Sequence, residues 1–483
     1  MAALASPSAT TEEMYLLQKL MRSLGCHNLD HRIGQRDFSD QNQAPLFPWL
    51  GDSMESLRRS PFVFLLGSNL RMEQPILHHA LRQAWQYGGR MLALMPRDFD
   101  YRFELEQAWV TDPEGMVHAL AAIAGEVFAA CGFAAGKSVA ALIESCRDEG
   151  TREQARAMAE ALRSAGGNGH LLIGAWALRS PWFSSLRALA GELAEATGLR
   201  LGYLPDGANS AGGWLAGMVP HRGAAGLCPP HEGRAVTELG AGTLSTCLLL
   251  NVEPELDTPH AAQLLPRLKE ADFVACLTPF ASERMRDYAD VLLPIASFGE
   301  ASGTFINAEG RWQGFNGAVS PPGEARPAWK VLRVLGTLCD LEGFEYLDST
   351  EIRDELKALF DAELEFTNAH APVGHFELPE PVPGPRAVEY VPTYATDALV
   401  RRAASLQATP PGRPVLMVGR DLAEAHGLAD GDLLLVRQGE VSLSLPVRVE
   451  PGVPAGCVFV PRGVPGVAQL ADAFGPVELA RVS

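Results

Sequence analysis

The sequence predicts an α/β chain built on parallel sheets and ending in a smaller β unit. Three observations carry this. Phe62 to Leu66 is an apolar run followed by the turn Gly67-Ser68-Asn69, a helical stretch from Gln74 to Tyr87, and a second apolar run from Met91 to Met95. The same alternation returns later, with a strand over Ser245 to Val252, a helix over Pro259 to Ala271 and a strand over Asp272 to Leu277. Parallel strands joined by a crossover helix imply an α/β sheet. Beyond about residue 395 the pattern changes to short β runs, PVLMV, GDLLLVRQ, EVSLSLPVRVE and GCVFVPR, separated by Gly, Pro and Asp turns.

The elements follow in order. Thr10 or Thr11 caps a helix over Glu12 to Leu24, whose first turn carries Glu12 and Glu13, and Gly25 ends it. The β–α–β unit of 62–95 comes next, then helices near Pro113 to Cys131 and Arg152 to Ala165. His170 to Leu178 reads as a strand, Pro181 to Thr197 as a helix and Arg200 to Leu204 as a short strand. Gly207 to Arg222 is a glycine-rich loop whose small residues permit close backbone approach. Ser282 caps a short helix over Glu283 to Tyr288. Val291 to Leu293 is an apolar run stopped by Pro294, which suits a buried strand. Thr304 to Asn307 and Arg311 to Phe315 form a hairpin, with Gly310 free to take positive φ in the loop. Pro327 fits the first turn of a helix running to about Asp340, and Ser349 to Glu363 is an amphipathic helix. Six prolines between Ala371 and Thr393 read as an extended linker. Asp421 to His426 is a short helix among the terminal β runs.

Length and composition narrow the function. A chain of 483 residues suggests about three domains. Lys plus Arg is 40 against 58 Asp plus Glu, a net charge of −18, so nucleic acid is a poor partner. Val117 to Gly136 comes nearest to a membrane span, but it is Ala-rich and interrupted by His118 and Glu126, so it reads as a packed helix. The first basic residue is Lys19, and the sequence predicts no signal peptide. The eight cysteines are scattered with no Cys-x-x-Cys pair, which predicts reduced thiols rather than an iron–sulfur or zinc site. His78 and His79 are adjacent, and helical neighbours point about 100° apart, so they do not converge on a metal. No Ser-His-Asp or His-Glu-x-x-His spacing stands out. The sequence therefore assigns no catalytic residue and no metal ligand. Glu300, Asn307, Glu309, Arg311 and Gln313 form the best polar cluster, read first as a buried salt-bridge network.

ADVLLP, then a glutamate, then GTFINAEGRWQ, at Ala289 to Gln313, resembles the signature of the molybdopterin oxidoreductase superfamily. The continuation GAVSPPGEARPAWKVLRVLG resembles more narrowly the G-subunit family of bacterial NADH-quinone oxidoreductase, respiratory complex I. ALASPSATTEEMYLLQKLMRSLGCHNLDHR resembles the strand–helix segment that precedes the molybdenum site in that superfamily. The resemblance implies interleaved Rossmann-like domains: 1–30 as the truncated start of a first α/β domain, 31–199 as an inserted α/β domain, 200–370 as the continuation of the first, 371–394 as the Pro-rich linker and 395–483 as a domain like a double-psi barrel.

It further implies a subunit of the enzyme's peripheral arm, on the cytoplasmic side of the bacterial inner membrane, in contact with its other subunits. The family carries 2Fe-2S and 4Fe-4S clusters on an N-terminal region, and this chain is expected to begin after it, as a scaffold. Where molybdenum enzymes carry a ligand to the metal, this sequence has Ile33 or Gly34, neither of which can ligate. Asp30, His31 and Asp37 lie nearby and are read as making local polar contacts. Molybdopterin is accordingly not expected. The vestigial pterin-pocket candidates are Gly67, Asn69, Asn209, Gly212, Glu300, Asn307 and Arg311. The alternative is a fragment of a molybdopterin-dependent oxidoreductase such as a formate or nitrate reductase.

Overall fold

The computed structural model describes all residues except 147–148, 361–364, 370–375, 377–378, 380–382, 468–469, 471–473 and 483. Three main sheets and a two-stranded hairpin organise them.

The first sheet has five parallel strands in the order Val291–Pro294, Phe273–Thr278, Thr246–Leu250, Ala2–Ala5, Leu29–Asp30. Ala2–Ala5 is wholly buried, since its neighbours on the sheet and the helix Thr11–Ser23 cover it. Thr10 makes the cap of that helix: its Oγ1 accepts from the Glu13 N–H at 3.2 Å, and Glu13 Oε2 accepts from the Thr10 N–H at 2.9 Å. The helix packs on Ala328–Leu338 and Ser349–Lys357 around Trp329 and Phe344. Val291–Pro294 is at the sheet edge and only half-buried, not the buried strand its apolar run suggests. An edge strand has one neighbour to cover it, and the apolar letters alone do not reveal that.

The second sheet is also parallel and five-stranded, in the order Gln107–Val110, Arg90–Met95, Phe62–Leu66, His170–Ile173, Arg200–Tyr203. Helices Pro113–Cys131, Arg152–Ser164 and Phe183–Thr197 pack together over one face. Pro113–Cys131 is apolar and long enough to cross a membrane by composition, yet Val117, Leu120, Ile123 and Val127 are fully buried in this core. The strand at His170 stops at Ile173 and a helical turn, Ala175–Leu178, follows. Crowding explains the break: a Cβ on Gly174 would lie 2.3 Å from the Gly67 carbonyl. At the amino ends of these strands Ser60 Oγ is 2.8 Å from His170 Nδ1, and His170 Nε2 is 3.3 Å from Asp52. Ser60 donates to the Phe62 carbonyl and is buried, so this trio braces the sheet rather than forming a nucleophile.

The third sheet is mixed and six-stranded, ordered Arg386–Tyr390, Cys457–Pro461, Leu416–Val418, Val441–Val449, Leu433–Gln438, Glu478–Arg481. A bridge between Arg386 and Pro476 returns the first strand to the segment before the last, so the sheet curls on itself. Much of the Pro-rich stretch 371–394 lies outside the described residues; within it Arg386–Tyr390 is a strand of this sheet. The helix expected over Ser349 to Glu363 ends at Lys357.

The hairpin Gly303–Ile306 with Trp312–Phe315 is antiparallel, and Gly310 takes φ +76° in its loop. It is tied to the first helix by Glu12, whose buried Oε2 accepts from the Thr304 N–H at 2.8 Å. Burial pushes the Glu12 carboxyl up to about 7, the neighbouring Glu13 adding to it against the Thr304 hydrogen bonds. A raised folded-state value stabilises fully below the unfolded value near 4.5 and is lost as pH rises through about 7. Glu12→Gln is neutral at every pH. The stability of the native chain relative to Glu12→Gln should therefore fall between pH 5 and 8, read by urea unfolding at several pH values. A difference flat across that range would contradict the assignment.

Candidate functional site

A cleft of about 370 Å³ lies at the carboxyl ends of both parallel sheets. Crevices outside strand carboxyl ends are where open α/β sheets bind ligands. Ser6 to Ser8 follow the strand Ala2–Ala5, Glu73 and Gln74 follow Phe62–Leu66, and Asp206 follows Arg200–Tyr203. Arg462, just beyond Cys457–Pro461, closes the cleft from the third sheet.

Ion pairs dominate its electrostatics. Arg179 grips Asp206 with two hydrogen bonds, one from Nε at 3.0 Å, and stands 3.7 Å from Glu73. Burial pushes the Asp206 carboxyl up, but Arg179 and Arg462 outweigh it and hold the group below its usual range. Burial raises Glu73, with Arg179 opposing. Behind the cleft Glu389 pairs with Arg36 at 2.7 Å and with Arg462 at 3.1 Å. Three arginines thus meet three carboxylates, so the cluster is formally neutral and its cations are engaged.

Gly34 faces this cluster. A Cβ there would lie 3.2 Å from both Asp206 Oδ2 and Arg462 Nη2. Of the polar residues beside it, Asp30 pairs with Arg32 at 2.9 Å. Asp37 accepts from the Ser184 N–H at 2.7 Å, and His31 Nδ1 lies 2.8 Å from the Met218 carbonyl. Among the described residues no three His, Cys, Asp or Glu side chains converge to hold a metal.

None of the seven pterin-pocket candidates lines this cleft. Gly67 takes φ +58° and approaches Ala177 so closely that a Cβ would lie 2.9 Å from its nitrogen. Asn69 gives its N–H to Glu73 Oε2 at 3.1 Å, a link to the cleft wall. Asn209 and Gly212 belong together: Asn209 Nδ2 donates to the Ala9 carbonyl at 2.8 Å, and its Oδ1 accepts from the Ile306 N–H at 2.7 Å. A Cβ on Gly212 would lie 2.2 Å from that Oδ1, so only glycine fits. Asn307 Oδ1 accepts from the Glu309 and Arg311 N–H groups, ordering the hairpin loop, while the Arg311 side chain is exposed. Glu300 accepts from the Ser297 N–H at 2.9 Å. The residues that sequence reasoning missed, Arg179, Asp206 and Arg462 in the cleft and Glu389 behind it, meet across separations such as 353 residues for Arg36 and Glu389. No local pattern marks such pairs.

A family model described as molybdopterin oxidoreductase matches residues 1–338. The chain belongs to this family. Its fold is shared with acetylene hydratase from Pelobacter acetylenicus, at a TM-score of 0.69 and 14% identity, covering 100% of this chain and 86% of that one. It is 25% identical to the G 2 subunit of NADH-quinone oxidoreductase of Rhizobium meliloti over 95% of its own length and 59% of the relative's. It is 26% identical to the G subunit of NADH-quinone oxidoreductase of Streptomyces coelicolor over 90% of its own length and 48% of the relative's. The chain thus spans about half the length of the curated relatives it matches. An F420-dependent formate dehydrogenase 1 subunit alpha of Methanococcus maripaludis is 34% identical, over only 22% of this chain and 16% of that one.

Family membership raises the question of a molybdenum–pterin group, and the residues do not fit one. Ile33 and Gly34, where the resemblance would place a metal ligand, offer no ligating side-chain atom. A side chain at position 34 would press on the ends of Asp206 and Arg462, each 3.2 Å from a Cβ there. The arginines of the cleft, Arg179 and Arg462, are held in ion pairs with Asp206 and Glu389.

Proposed function

We propose that this chain is a scaffold of the peripheral arm of an NADH-quinone oxidoreductase, on the cytoplasmic side of the bacterial inner membrane, and carries no electron itself. The observation behind this reading is the cleft: its arginines are neutralised by Asp206, Glu73 and Glu389, beside Ile33 and Gly34, where the family resemblance would place a metal ligand. Similarity to the two G subunits along 90–95% of the chain supports the choice of complex. Electron transfer from NADH to quinone requires a flavin to divide the hydride and carriers to pass single electrons, tasks for cofactors rather than side chains. In this reading those carriers sit on other parts of the assembly, and this chain docks against neighbouring subunits. The formate or nitrate reductase alternative has similarity over about a quarter of the chain and no ligand at position 34 to support it.

The test pairs a pull-down from solubilised membranes of the source cell with assays of the purified chain. Flavin-bearing and quinone-proximal subunits should be recovered, and the isolated chain should neither oxidise NADH nor reduce a quinone analogue or a formate-linked dye. Turnover by the isolated chain that depends on added molybdopterin would favour the enzyme reading instead.

A further inference from the structure

A second pocket, of about 240 Å³, adjoins the cleft, and Gln74, Pro205, Gly207 and Ala208 line both. Leu50, Met54, Leu77, Ile306 and Ala308 give it apolar walls. Ile76 also lines it and is 68% exposed, so an occupant would cover apolar surface that the fold leaves in water. An apolar cavity of about 150 Å³ takes a benzene ring, so this volume admits a single or fused aromatic ring.

The polar groups here are few. Besides Gln74 they are Ser210, Asn307 and Glu309, and among the described residues no cationic side chain lines the pocket. Asn307 Nδ2 donates to Glu309 Oε2 at 3.0 Å, and Glu309 Oε1 accepts from the Met54 N–H at 2.9 Å. Asn307 Oδ1 is taken up by the N–H groups of its own loop. Gln74 differs. It joins the helices Leu70–Glu73 and Pro75–Gln86 at φ −133°, away from the helical region, as the proline after it favours. Its Nε2 donates to the Pro205 carbonyl at 2.9 Å. Only the NH₂ end of an amide can donate to a carbonyl, which fixes the orientation. Oε1 is then a buried acceptor with no hydrogen-bond partner in the protein. Because Gln74 and Pro205 each line the cleft and the pocket, this amide stands where the two spaces join.

Buried acceptors are nearly always satisfied, by protein, water or a ligand. Ligand pockets combine apolar walls with a few polar groups that orient what they bind. The Glu309 carboxylate opposes an anion. A cation would meet that one carboxylate, already engaged by two hydrogen bonds, among apolar walls.

We infer that this pocket binds a small uncharged molecule with an apolar ring and one hydrogen-bond donor, the donor directed at Gln74 Oε1. The inference does not depend on the scaffold role.

Indole is the probe, and benzofuran has its shape without the N–H; benzoate and benzamidine carry a negative and a positive charge on a body of similar size. Titration calorimetry of the full chain should show one indole per chain, bound about 3- to 10-fold more tightly than benzofuran, the usual worth of one neutral hydrogen bond. A crystal soaked in indole should show the ring in the pocket with its nitrogen within hydrogen-bond distance of Gln74 Oε1. In Gln74→Met the preference for indole should vanish while benzofuran binds as before. Ala208 is exposed on the rim, and in Ala208→Trp indole binding should be lost. No saturable indole binding at millimolar concentration, which would leave Gln74 to water, would overturn the proposal. So would equal affinity for indole and benzofuran in the native chain, tighter binding of either charged probe, or indole density elsewhere. If Gln74→Met does not fold, the native comparison and the soaked crystal decide.

Discussion

Asp40→Asn should lower the unfolding free energy by about 3–5 kcal/mol, the usual result of removing one member of a buried ion pair. Arg187 Nε donates to Asp40 Oδ2 at 2.6 Å, a second bond joins Nη2 to Oδ1, and both residues are buried. The pair fastens the helix Phe183–Thr197 of the second sheet to the segment leading away from the first, beside the Asp37–Ser184 contact. Asn keeps the shape but not the charge, so a guanidinium stays buried without its counter-ion. The loss is large against a typical domain stability of about 5–15 kcal/mol. Urea unfolding measures it. The double variant Asp40→Leu with Arg187→Met should recover most of the loss, because replacing both charges removes the desolvation penalty as well. A loss below about 1 kcal/mol for Asp40→Asn would mean that water reaches the pair.

Glu253→Gln should cost about 3 kcal/mol and loosen the third sheet's attachment to the first. Glu253 is buried and accepts from Arg401 Nη2 at 2.7 Å and from both terminal nitrogens of Arg402. Burial pushes its carboxyl up, but the Arg402 and Arg401 hydrogen bonds outweigh this and hold it low. The loss sits at the lower end of the buried-pair range because Arg401 keeps Asp257 at 2.8 Å and the Arg402 side chain is 31% exposed. Amide exchange should speed up over Ala398–Arg401, whose N-cap Asp397 borders the cleft, and stay unchanged in Leu416–Val418. Uniform exchange in both places would show that Glu253 supports the whole fold instead of this latch.

The legible part of this chain is its strands and caps. The β–α–β unit at 62–95, the Thr10 cap and the hairpin around Gly310 each depend on residues close in sequence, and each is present. Apolar runs cannot show which strand becomes an edge, as at Val291–Pro294. The strand Gln107–Val110 escapes a reading of the sequence, because its exposed, polar-interrupted letters carry little pattern. The signature around Glu300 and Asn307 announces the family, yet the cleft is lined by Arg179, Asp206 and Arg462, with Glu389 behind them, which meet only after three sheets assemble. Asn209 reads in the sequence as a ligand-facing residue of a glycine-rich loop; in the fold its side chain joins Ala9 to Ile306, a structural task that glycine-rich spacing cannot distinguish from cofactor contact.

Elemental and pterin analysis of the chain, purified anaerobically from its source cell, tests the central claim most directly. Gly34 provides no ligand, and the arginines beside it are paired with carboxylates. Molybdenum, tungsten, iron and oxidised-pterin fluorescence should each be far below one equivalent per chain. Stoichiometric molybdenum or tungsten together with pterin would contradict the account.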